Sequence, residues 1–81
     1  MRFKKGLFYK HDNCKDIIIR VLWAGYYNNV HKLKIEYWNI SPRDKEPWYM
    51  HVNDRVKISA DNAIFWHKYI VPPDLYYIDN R

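Results

Sequence analysis

The alternation over residues 31–39 constrains this chain more than any other feature: Leu33, Ile35 and Tyr37 interleave with Lys32, Lys34, Glu36 and Trp38. Residues two apart share one side of an extended chain but do not line up on a helix. The segment therefore predicts a half-buried strand, with a dry side and a mostly charged side. Residues 16–23 read as a second strand, with Ile17, Ile19, Val21 and Trp23 on one side and Ile18 and Leu22 adding apolar weight on the other. Such a strand is expected to be central or covered on both faces. Between the two, Gly25, Asn28 and Asn29 tolerate the positive backbone angles of a hairpin, which predicts antiparallel pairing.

The rest of the chain also reads as short strands. A first strand is expected within residues 3–9, followed by a polar turn over 11–15. Residues 41–47, Ser41-Pro42-Arg43-Asp44-Lys45-Glu46-Pro47, are expected to form an exposed loop, because neither proline can donate in a central ladder. Residues 48–52 and 55–59 suggest two strands joined by a turn at Asn53-Asp54. Ser59 and Asp61 suit the cap of a helical turn over 59–62. In 63–71, Ile64, Phe65, Tyr69 and Ile70 partly fit helical spacing, but the aromatic and β-branched content favours a last strand.

The fold class expected is mainly β: one domain over residues 1–71, a five- to six-stranded antiparallel barrel with one short helical turn. Small sheets without covering helices avoid free edges by curling closed. In strand order and length the layout resembles the SH3-like small barrels over about residues 5–71. The resemblance implies a curled sheet but not proline-rich recognition, because His11-Asp12-Asn13-Cys14-Lys15 stands where an acidic, tyrosine-bearing loop is needed. In size, basicity and aromatic density the chain is also similar to accessory proteins of bacteriophages and mobile elements, some of which inhibit host defence.

Charge narrows the partners. Fourteen Lys and Arg against nine Asp and Glu leave +5, and residues 1–20 alone carry +4, six cations less Asp12 and Asp16. That field attracts polyanions and acidic protein surfaces alike. The chain has two glycines and no glycine-rich phosphate cradle, so no nucleotide cofactor is expected. Cys14 is alone, which suits a reducing cytoplasm. Residues 6–11 are too short for the apolar stretch of a signal peptide, and no run approaches the roughly 18 apolar residues of a membrane span.

The first candidate site is the outer side of the 31–39 strand: Lys32, Lys34 and Trp38, with Tyr26, Tyr27, Arg43 and Lys45 nearby. Rings beside cations suit nucleic acid or a nucleotide, since rings stack on bases while cations neutralise phosphates. The competing expectation is a solvated charged face with Trp38 covering one end of the barrel. The second candidate is a protein-binding surface at Trp48 and Tyr49, although period two places Trp48 with Met50 and Val52 toward the core. The third is the C-terminal arm, 72–81, in which Leu75, Tyr76, Tyr77 and Ile78 are expected to add a strand to a sheet edge, within the chain or in a homo-oligomer. Four histidines and Cys14 have no spacing that specifies a metal site, so none is expected. His31, Glu36 and His51 contain the parts of an acid–base phosphodiesterase, but no spacing specifies one, and a non-catalytic binding module is the expectation.

Overall fold

In the computed structural model, which describes residues 2–14, 16–40 and 47–70, the predicted hairpin organises the molecule. Strands β2 (Ile17–Tyr27) and β3 (Val30–Ile40) pair antiparallel across a two-residue turn. Asn28 and Asn29 supply its positive φ angles of 54° and 60°, a type I′ geometry that matches strand twist. β1 (Phe8–His11) pairs with the start of β2, and β4 (Pro47–Ser59) with the whole of β3. A single helical turn, α1 (Ala60–Ala63), is capped by Ser59, whose Oγ accepts from Asn62 N at 3.3 Å. The chain then returns to pair β5 (Trp66–Tyr69) with β1. All pairs are antiparallel, in the order β4-β3-β2-β1-β5.

Mainly β is therefore the fold class, with five strands in one sheet and one helical turn. Three details depart from expectation. The sheet is not closed, because β4 and β5 occupy its two ends. The gap is filled instead by residues 2–5 and α1: Phe3 is fully buried, and the Arg2 guanidinium donates to the carbonyls of Ala63 and Trp66. Residues 3–9 accordingly divide into an apolar plug and a strand that starts only at Phe8. Finally, Asn53-Asp54 is a bulge inside one continuous strand rather than a turn between two, since Leu33 pairs with Val56 and Ile35 with Asn53. Asn53 Oδ1 accepts from Arg55 N at 3.0 Å and supports the kink.

The main core lies on the face carrying Ile19, Val21, Leu33, Ile35 and Ile58, sealed by Phe3 and Ala63. Phe3 meets Tyr9 and His31 edge-on, at centroid distances of 5.0 and 4.9 Å. The opposite face is dry over only part of its area, where Phe8, Ile18 and Trp38 form a smaller cluster. β2 is thus covered on both faces for part of its length, as its composition requires.

His31 is the buried polar group of this core, 5% exposed, with the Tyr26 ring 4.5 Å from its own. Its Nδ1 has no hydrogen-bond partner among the described residues. Burial first, and then nearby positive charge including Arg2, lowers its pKa below the ordinary 6.5. Below pH 6.5 the unfolded chain then binds more protons than the folded one, so stability is complete above that pH and falls as pH drops toward the lowered folded value. Urea denaturation at a series of pH values should show this loss, and His31→Phe should flatten it relative to the wild type.

Candidate functional site

The bulge in β2 decides which aromatic residue meets the lysines. Val21 pairs with Ile35 but Trp23 pairs with Lys34, so β2 advances two residues while β3 advances one, and Leu22 is the extra residue. The shift rotates Trp23 from the predicted core side to the side of Lys32 and Lys34. Its ring is 54% exposed and lies across Gly25, where a Cβ would stand 2.8 Å from Trp23 Cη2. A glycine two residues on therefore lets the indole lie flat against the sheet. Gly25→Ala is expected to lift the ring. Because the obstacle is the movable end of a side chain, the melting temperature should change little while iodide quenching of tryptophan emission rises.

Cations bracket this ring. On the β3–β4 side, Trp23 lines a depression of about 220 Å³ with Lys32, Arg55 and Lys57. Across β2, the same ring lines a second depression of about 320 Å³ with Phe3, Lys4 and Lys5. The register places Lys32 between Gly25 and Lys57, so two lysines stand side by side on β3 and β4 next to the glycine that the indole covers on β2. Tyr27 extends the surface: it is 52% exposed, its hydroxyl accepts from Lys32 Nζ, and the ammonium stands 4.2 Å from its ring centroid. Asp54 is the acid on this wall. A flat, accessible ring among cations has the elements required to stack a base and neutralise its phosphates.

The predicted site residues distribute unevenly around this centre. Lys32, Lys34 and Tyr27 belong to it. Tyr26 does not, because consecutive strand residues face opposite sides: its ring packs on His31, and its hydroxyl donates to Asn29 Oδ1 at 3.3 Å. Trp38 is 3% exposed and packs edge-on against Tyr49 at 5.5 Å, so it offers no ring face to a ligand. The physical reason is the second apolar cluster, in which Ile18 and Phe8 dry that half of the outer face. Between the wet and dry halves stands the Arg20–Glu36 pair, at 3.7 Å. Trp48 corrects the expectation of a core ring, since it is 62% exposed, and Tyr49 is 44% exposed. Arg43, Lys45, Leu75, Tyr76, Tyr77 and Ile78 lie outside the described residues.

Other candidate chemistries separate. His31 and Glu36 project from opposite sides of β3, and His51 packs on the Tyr37 ring at 4.8 Å, so the three do not converge. Among the described residues no three His, Cys, Asp or Glu side chains gather as a metal group. Cys14 is exposed. Sequence reading missed the pairing of His67 Nε2 with Asp12 Oδ1, at 2.8 Å, which joins β5 to the turn after β1. Lys10 and Lys68 line the same depression. Among the described residues no helix is long and apolar enough to cross a membrane. Compared with protein-family models, curated proteins and solved structures, the chain has no match.

Proposed function

We propose that this protein is a non-catalytic binding module for single-stranded nucleic acid, centred on Trp23. The observation that carries the reading is a half-exposed indole lying flat between Lys4 and Lys5 on one side and Lys32, Arg55 and Lys57 on the other. Stacking needs only a ring face, and every base has one, so the reading implies tolerance of sequence. The return of the last strand to β1 after a single helical turn supports placing the sheet with the SH3-like barrels. Anisotropy titration of a fluorescein-labelled oligothymidylate at two salt concentrations tests the function. Binding is expected at low salt, with log affinity falling against log salt by about 0.7 per phosphate neutralised. Absence of binding at low salt would overturn it.

A second reading is favoured by a different observation. Along β4, an end strand of the sheet, Trp48, Tyr49, Met50 and Val52 are each at least 40% exposed. Exposed apolar side chains on both faces of an end strand suit a protein partner that grips the sheet edge, for which the resemblance to mobile-element accessory proteins suggests a host defence enzyme. Pulldown from a bacterial lysate with and without nuclease separates the readings, since a partner retained after nuclease favours the second.

A further inference from the structure

The depressions on either side of Trp23 do not end there. The one beneath Lys4 and Lys5 shares Lys4 with a third, which reaches Arg2, Trp66, His67 and Lys68. The third in turn shares His67 and Lys68 with a fourth, about 330 Å³, bordered by Lys10, His11 and Asp12. Shared walls make a single track from Arg55 on β4, around the end of β1, to the β1–β5 pair. Cations recur along all of it, and the Trp23 and Trp66 indoles are among the rings that line it. Asp12 and Asp54 are its acids, and Asp12 is held by His67.

We propose that a nucleic-acid strand stacked on Trp23 continues along this track, and that Lys10 and Lys68 form a second phosphate subsite beside the His67–Asp12 pair. The inference rests on the single-strand reading above and adds its extent and direction. Both lysines line the fourth depression at the free edge of β5, Lys10 from the face it shares with His67 and Lys68 from the face it shares with Tyr9. At ~3.4 Å per nucleotide, a stacked strand of about 4 nucleotides covers only the surroundings of Trp23, whereas one of about 12 matches the 39 Å longest dimension of the molecule and can reach every part of the track.

The test compares labelled oligothymidylates of about 4 and about 12 nucleotides on three proteins. These are the wild type, Lys10→Gln with Lys68→Gln, and Met50→Glu with Val52→Glu. The last pair makes the same net change in charge on β4, away from the Lys10–Lys68 subsite. The wild type should bind the longer strand more tightly than the shorter. The lysine variant should lose about ten- to thirty-fold of affinity for the longer strand near 0.1 M salt, with a salt slope smaller by about 1.4, and keep its affinity for the shorter one. The β4 variant should lose much less. Equal losses in both variants, or equal wild-type affinity for both lengths, would overturn the track while leaving binding at Trp23 intact. Failure of both oligonucleotides to bind would instead remove the parent reading. Circular dichroism and melting of each variant ensure that a misfolded protein is not scored as a loss of contact.

Discussion

Phe3→Ala should destabilise the protein by about 3–5 kcal/mol, the range for removing a buried aromatic ring and a large share of the ~4–12 kcal/mol expected for a domain of this size. Phe3 lies in no regular element, yet it has 0% exposure. Its ring fills the gap that barrel closure leaves elsewhere, with Tyr9, His31 and Trp66 all edge-on to it. The segment around it is anchored at both ends. Lys4 N donates to Tyr9 Oη at 2.8 Å, and Gly6, at φ 87°, turns its N–H onto Val21 O at 2.7 Å. Deleting the ring leaves a cavity lined by the Tyr9, His31 and Trp66 rings, which paired strands hold in place, so it cannot collapse cheaply. Chemical denaturation measures the loss. Phe3→Leu, which keeps much of the volume, should recover more than half of it, whereas a change below about 1 kcal/mol in Phe3→Ala would mean that the plug does not seal the core.

The second large effect concerns binding. Trp23→Ala should weaken single-strand affinity about five- to 150-fold, the equivalent of the roughly 1–3 kcal/mol that one stacked base contributes. Trp23→Tyr should keep most of the affinity, because a π-face remains, and neither change should lower stability much, since the ring is already 54% exposed. That pattern differs from the loss of a charge. Removing Lys57 would reduce the salt slope, whereas removing Trp23 should lower affinity at every salt concentration and leave the slope unchanged. Anisotropy titrations at three or more salt concentrations distinguish the two.

Local patterns in the sequence made much of the fold legible. The alternation of Leu33, Ile35 and Tyr37 against Lys32 and Lys34 is read correctly because a two-residue period depends only on the strand's own geometry. Asn28-Asn29 marks the hairpin because few residues accept positive φ, and Ser59 marks α1 because a cap acts within three residues. The misses share a different physics. A bulge is a mismatch between two strands, so Leu22 and Asp54 betray nothing until β3 supplies the register. An Asn-Asp pair serves a turn or a kink equally well. Trp38 follows the same alternation as Lys34, and only the apolar neighbours that pairing brings to it, Ile18 and Phe8, bury it.

The candidate site was half legible for the same reason. Its lysines on β3 follow from periodicity, but its central ring does not. A local signal existed in the Trp23-Ala24-Gly25 triplet, since a glycine two residues from a tryptophan in a strand offers bare backbone for the indole to cover. Lys4 and Lys5 join the site only because Phe3 pins their segment beside β2, a long-range consequence of packing. His67 meets Asp12 only because β5 crosses to β1, which no spacing within either segment announces.

The central claim is that Trp23, and not Trp38, presents its ring to a nucleic-acid strand. A two-dimensional ¹H–¹⁵N spectrum tests it directly, because each tryptophan contributes one indole N–H signal, assignable by single Trp→Phe variants. On titration with oligothymidylate at low salt, the Trp23 signal should shift progressively to saturation while the Trp38 signal stays in place. A stationary Trp23 signal under saturating oligonucleotide, or a shift confined to Trp38 or Trp48, would contradict the account.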